Sequence, residues 1–298
     1  MAAPHWYVLG AGAIGCLYAH ALQRSGCQTT LVMRTGTQQR VIPLIVERSD
    51  ARSEISLPAI TADDPETITQ LLVTTKAYDV HSAVAGIAHL LVPGSVLLLL
   101  VNGMGLAEQL AAEWPHLDIY CGTSTEGAYR VAAQHIRHAG RGETRIGRQG
   151  QAEPAPWFGQ WAGAIEPCIW DRQIVTAQWA KLSVNCIINP LTAIRGCVNG
   201  ALAARPELVA RVATLCDEVA SISAAAGYTD VAASLAQTVA SVIAGTANNR
   251  SSMLQDILHG RRTEIDYITG YLLQVAEQYN IPAPHNRALF EAIKKRVH

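Results

Sequence analysis

Lys181, Asn185 and Asn189 stand four residues apart in the segment AKLSVNCIINPLTA, a spacing that stacks all three on one face of a helix. Apart from Ser183, the other sides of that helix are apolar, with Leu182, Val184, Cys186, Ile187 and Ile188. One ammonium and two carboxamides in file offer hydrogen-bond donors to a small, oxygen-rich substrate. The competing reading is a solvated helix face. Two features weigh against it. Asparagine is a poor helix former, seldom spent twice on one exposed stripe, and Pro190 is expected to end the helix at Asn189, beside a loop.

The start of the chain supplies a cofactor for such a substrate. His5 to Leu9 reads as a short buried strand, followed at once by Gly10-Ala11-Gly12-Ala13-Ile14-Gly15. Cys16 to Ser25 then reads as a helix closed by Gly26, and Gln28 to Met33 as a second strand. Strand, glycine turn, helix and strand in this order form the dinucleotide-binding fingerprint. The glycines permit a tight turn and close approach of a pyrophosphate, and the helix N-terminus faces its negative charge. NAD-dependent chains usually place Asp or Glu at the end of the second strand to hold the ribose 2′-hydroxyl. Here Met33-Arg34-Thr35 stands there, with no carboxylate before Glu47. A guanidinium suits a 2′-phosphate, so the cofactor expected is NADP(H). The alternative role for Arg34 is to cover the sheet edge.

The first 170 residues alternate short apolar runs with helical segments, which predicts a parallel sheet covered by helices. Leu71 to Thr75 is a strand ending at Lys76, and Val96 to Val101 one ending at Asn102; Val80 to Leu91 between them has helical spacing, broken at Val92-Pro93-Gly94. Ligands of such sheets bind beyond the carboxyl ends of strands, which puts Lys76 and Asn102 near the cofactor. A solvated strand-end cation and an ordinary Asn-Gly turn are the bland alternatives. Thr123 to Arg130 and Glu143 to Gly147 are expected as closing, antiparallel strands. Beyond about residue 170 the chain becomes helical: Arg172 to Asn189, Pro206 to Ala226, Val231 to Ala244, Ser252 to Leu258, Thr263 to Tyr279 and Asn286 to Val297. Either Ser251 or Ser252 suits a helix cap, and Thr263 with Asp266 resembles a capping box that sets Glu264 in a first turn. The fold expected is an α/β N-terminal Rossmann-type domain, residues 1–170, with an all-α C-terminal domain, residues 171–298.

Composition excludes other classes. A net charge of −1 makes no electrostatic case for nucleic acid or an anionic membrane. Seven scattered cysteines without a CxxC pair fit reduced thiols in a cytoplasm. The N-terminus passes almost directly into the first strand, so no signal peptide is expected, and no segment has the length of a membrane span. Among ten histidines, His135 and His138 have no nearby carboxylate or cysteine in sequence, so no metal is expected.

Nine motifs in order carry a family resemblance: GAGAIG, Arg34, TTKAYD with Lys76, VNGMG with Asn102, GTSTEGA ending at Ala128, WAKLSVNCIINPLTAI, Val198-Asn199-Gly200, NRSSMLQD, and RRTEIDYITG with Glu264. With these the chain resembles the ketopantoate reductase family, NADPH-dependent 2-dehydropantoate 2-reductases of pantothenate biosynthesis, over nearly its whole length. The resemblance implies a Rossmann domain and a helical domain with the active site in the cleft between them. It implies NADP contacts at Gly10 to Gly15, Arg34, Lys76, Asn102 and Ala128, and a proton donor at Lys181. Asn185, Asn189, Asn199 and Ser252 match substrate-binding positions, and Glu264 one near both nicotinamide and substrate. Glu126 departs from the pattern, standing where relatives often carry histidine.

The reaction so implied delivers hydride to the C2 ketone of a branched 2-keto acid, and the Lys181 ammonium stabilises the growing oxyanion and protonates it. Two alternatives stand beside it. One is a paralogue acting on another branched 2-keto acid. The other is a non-catalytic NADP(H) sensor, which has no use for a lysine and two asparagines on a helix face. The expected assembly is a monomer or homodimer.

Overall fold

Trp6, Tyr7, Val8 and Leu9 are all buried, as a central parallel strand requires. They form β1 (His5–Leu9), which leads through the glycine loop into α1 (Ala13–Arg24) and β2 (Gln28–Val32). The computed structural model describes residues 4–296, so Val297, the expected end of the last helix, lies outside the described residues. The chain divides into two units: one holds the described residues up to Val101 together with Leu106–Val175, the other Asn102–Gly105 and the chain from Thr176 onward.

The first unit is α/β. After β2 come β3 (Val41–Glu47), β4 (Arg52–Ile60), β5 (Ile68–Val73), α2 (Val80–Ile87), β6 (Leu91–Leu99), α3 (Leu106–Glu113) and β7 (Asp118–Ser124). They are followed by β8 (Gly127–Ala132), β9 (His135–Gly140), β10 (Thr144–Gly147), α4 (Phe158–Ala164) and β11 (Cys168–Trp170). All the strands join one 11-stranded sheet in the order β11-β10-β7-β6-β5-β1-β2-β4-β3-β9-β8. Its centre, β7-β6-β5-β1-β2-β4, is parallel throughout, whereas β10 runs antiparallel to β7.

Three expectations change. The hairpin of β3 and β4 and the strand β9 extend the sheet beyond the sequence reading. The run Thr123 to Arg130 breaks into β7 and β8, because Ser124 Oγ accepts the Glu126 N–H at 3.0 Å and turns the chain. β6 begins at Leu91, through the expected break at Val92-Pro93-Gly94. Ser95 makes this possible, accepting the Val92 N–H at 3.0 Å and donating to the Ile68 carbonyl at 2.7 Å.

The second unit is helical: α5 (Ile174–Arg195), whose first two residues belong to the other unit, then α6 (Ala201–Ala204), α7 (Pro206–Ala225), α8 (Thr229–Gly245), α9 (Ser252–Leu258), α10 (Thr269–Gln278) and α11 (Pro284–Lys294). Trp179, Leu182, Ile187, Leu215, Val219, Ile222 and Leu272 are buried there. The Trp179 indole N–H donates to Ser223 Oγ at 2.9 Å, tying α5 to α7. Among the described residues no helix is long and apolar enough to cross a membrane.

Candidate active site

In the α/β unit the glycine loop is held where side chains do not fit. Gly10 has φ +109°, and a Cβ on it would lie 2.6 Å from the Thr75 nitrogen; one on Gly15 would lie 2.1 Å from the Gly10 carbonyl oxygen. Thr74 Oγ1 donates to that same carbonyl at 2.7 Å, which pins the loop to the end of β5. Gly12 caps α1 without a side-chain hydrogen bond, and the first turn carries no acidic residue. The helix N–H groups are thus left to an anion, and the loop fits a dinucleotide pyrophosphate. Arg34 is exposed two residues past β2, Lys76 follows β5 on extended backbone, and Ala128 lies in β8 opposite His138.

In the helical unit Lys181 meets a carboxylate. Burial lowers the Lys181 pKa to about 8, and the charge of Glu264 opposes that fall. Glu264 is buried, 5% exposed, and accepts a hydrogen bond from Asn102 Nδ2 at 3.2 Å. Asn102 reaches it because Gly103 packs on the Tyr267 backbone: a Cβ there would lie 2.5 Å from the Tyr267 carbonyl oxygen. The Met104 N–H donates to that carbonyl at 3.2 Å.

This contact corrects the expected capping box. Glu264 lies in a bend, residues 265–268 are turns and α10 starts at Thr269, so Glu264 is not in the first turn of a helix. The Tyr267 carbonyl is engaged by Met104, and Asp266 is held by Lys294 at 2.9 Å rather than turned back on Thr263.

Pro190 likewise does not end α5, which continues to Arg195. The proline removes one N–H from the helix ladder. Leu191 and Ala193 nevertheless bury their side chains completely enough to hold the following turn in place, at 1% and 0% exposure. Lys181 and Asn185 are partly exposed and Asn189 is buried along the face, and neither asparagine carboxamide has a hydrogen-bond partner among the described residues.

Ser251, not Ser252, caps α9, accepting the Leu254 N–H at 3.1 Å, and Ser252 is exposed. Asn199 is buried; its Nδ2 donates to Thr246 Oγ1 at 2.9 Å and its backbone N–H to the Asn249 carbonyl at 2.9 Å. The sequence reading missed Thr192, three residues past Asn189 on the same face. Its hydroxyl is hydrogen-bonded to Ser251 Oγ at 2.8 Å and joins the lysine helix to the start of α9. Its i+3 spacing from Asn189 is the signal for it in the sequence, masked by the proline between them.

The histidines also differ from expectation, since each has a carboxylate brought by folding. His135 bonds Glu47 at 3.0 Å, and the buried His138 pairs with Glu126. Three residues apart on β9, they face opposite sides of the sheet. No group of three or more potential ligands that could hold a metal ion occurs among the described residues.

Comparison with known proteins finds two family descriptions on this chain. "Ketopantoate reductase PanE/ApbA" matches residues 6–151, and "Ketopantoate reductase PanE/ApbA C terminal" matches residues 173–297. A 2-dehydropantoate 2-reductase of Vibrio cholerae is 37% identical over 289 residues, covering 96% of each chain. The crystal structure of a PanE/ApbA family ketopantoate reductase from Ralstonia eutropha superposes with a TM-score of 0.87 at 26% identity, over 99% of this chain and 100% of that one. D-mandelate dehydrogenase, solved with NADH and anilino(oxo)acetate, superposes with a TM-score of 0.90 at 22% identity over 98% of each chain, a likeness of fold.

Proposed function

Since this chain belongs to the ketopantoate reductase family of NAD(P)-dependent oxidoreductases, we propose that it reduces 2-dehydropantoate to (R)-pantoate with NADPH, a step of pantothenate and coenzyme A biosynthesis. The observation that carries this reading is the face of α5, where Lys181 stands with Asn185 and Asn189 and is opposed by Glu264.

In this reading the α/β unit is the dinucleotide-binding domain and the helical unit binds the keto acid. Gly10 to Gly15 cradle the pyrophosphate and Arg34 the 2′-phosphate, while Lys76, Asn102, Ala128 and Glu264 complete the cofactor contacts. The reduced nicotinamide, when bound, supplies a hydride for the C2 ketone. The Lys181 ammonium neutralises charge developing on the carbonyl oxygen and transfers a proton from Nζ to it. Asn185 and Asn189 donate to substrate oxygens, and the exposed Ser252 adds a hydroxyl. Asn199 holds the Thr246–Asn249 chain that leads to Ser252, with its Nδ2 already committed. Glu264 keeps Lys181 charged and accepts from the substrate hydroxyl. Seven free thiols support a reducing, cytoplasmic setting.

The test is NADPH consumption with ketopantoate set beside other branched 2-keto acids. Turnover with ketopantoate at the highest specificity constant is expected, and turnover confined to another acid would replace the substrate. NADPH binding without turnover of any of them would leave a sensor.

A further inference from the structure

Arg130 sits in β8, far along the chain from the glycine loop, yet its guanidinium donates a hydrogen bond to the Ala11 carbonyl inside that loop. From there its charge also reaches the first turn of α1. Burial pushes the Cys16 thiol in the first turn of α1 up to about 11, and the Arg130 charge pulls against that rise. The side chain is exposed and has no carboxylate partner among the described residues. A guanidinium carries five N–H donors, so most remain for another acceptor.

The surroundings define that acceptor. The N-terminus of α1 is capped only by Gly12 and has no acid in its first turn. Its partial positive charge and the Arg130 cation therefore add up on one side of the loop. Two positive fields converging on backbone N–H groups select a diffuse, doubly charged anion over a neutral group. Arg34 stands past β2, where the ribose of a dinucleotide is read, whereas Ala11 belongs to the segment facing the pyrophosphate.

We propose that Arg130 is a further cofactor-binding residue, bridging the Ala11 carbonyl and the dinucleotide pyrophosphate. The proposal rests on the reading of Gly10 to Gly15 as the cofactor loop. Since the pyrophosphate is common to both nicotinamide dinucleotides, Arg130 serves affinity for either, and Arg34 the choice between them.

The test is equilibrium titration of wild type, Arg130→Ala and Arg130→Lys with NADPH, NADH and 2′-AMP, which has no pyrophosphate. Loss of one charge-assisted bond corresponds to roughly a ten- to hundredfold rise in Kd. Arg130→Ala is expected to raise the Kd of NADPH and NADH by the same factor in that range and leave 2′-AMP unchanged, with Arg130→Lys recovering part of the loss. Weakening of NADPH alone would move Arg130 to the 2′-phosphate and overturn the proposal. Equal weakening of all three ligands would mean a damaged loop, and no weakening would mean no contact; either overturns it. A wild-type protein binding neither dinucleotide would instead sink the underlying reading of the glycine loop.

Discussion

Lys181 answers two opposed demands. Burial lowers its pKa to about 8, which would ready the proton for the proposed transfer, and Glu264 resists the fall, which favours the ammonium at neutral pH. The proposed proton transfer uses the acid form, so kcat is expected to hold below about pH 8 and decline as pH rises through that value. Glu264→Gln removes the opposing charge, and the pH–rate profile should then turn down at lower pH. A profile unmoved by that change would take Glu264 out of the role. Lys181→Ala should reduce turnover by a factor on the order of 10² to 10⁴, with NADPH affinity little altered; near-normal turnover would mean another donor. At the α/β unit, Arg34→Ala should weaken NADPH by about 1.5–3 kcal/mol and NADH much less. Comparative titration reads this directly, and equal weakening would make Arg34 a residue of the fold.

At the scale of elements, the chain uses tertiary contacts to start and stop helices where local signals mislead. α11 begins at Pro284, and Glu218 of α7 accepts its N-terminal donors: the His285 N–H at 2.7 Å, the Asn286 N–H at 2.9 Å and Asn286 Nδ2 at 2.8 Å. A carboxylate at a helix N-terminus is favoured by the dipole and satisfies N–H groups the helix cannot. Glu218→Ala should therefore cost about 1.5–3 kcal/mol of stability, read as a lower urea midpoint, with the Kd for NADPH unchanged. An unshifted midpoint would show that water replaces the cap at no cost. α5 and α10 make the same point in opposite directions. Packing of Leu191 and Ala193 carries one helix past a proline, and Met104 takes a carbonyl that delays the other.

For the molecule as a whole, the family fold is shared with proteins of other substrates, so selectivity has to come from particular side chains. Ketopantoate has a hydroxyl that 2-ketoisovalerate lacks. Glu264 and Ser252 are the groups proposed to meet it, and Glu264 is 5% exposed. Losing the hydrogen bond between such a group and the substrate hydroxyl costs about 1–3 kcal/mol, which predicts a kcat/KM for ketopantoate at least about tenfold higher. Glu264→Ala should narrow that ratio while lowering turnover on both acids. Equal specificity constants in the wild type would favour a paralogue of broader choice.

What the sequence determined by itself is what depends on near neighbours along the chain. β1, the glycine turn, α1 and β2 follow from burial runs and steric freedom within a few residues, and the Lys181–Asn185–Asn189 face follows from helix pitch alone. The cation after β2 is legible for the same reason. Tertiary structure decided which groups meet. Nothing near Lys181 in sequence announces Glu264 as its charge partner, Asn102 as the donor that steadies that carboxylate, or the burial that brings the lysine to about 8. The Glu126–His138 pair and the Arg130–Ala11 bond likewise join residues from different elements. Periodicity encodes which side of an element is buried, but a charge's partner is set by where the elements pack, and so only the folded chain completes the site.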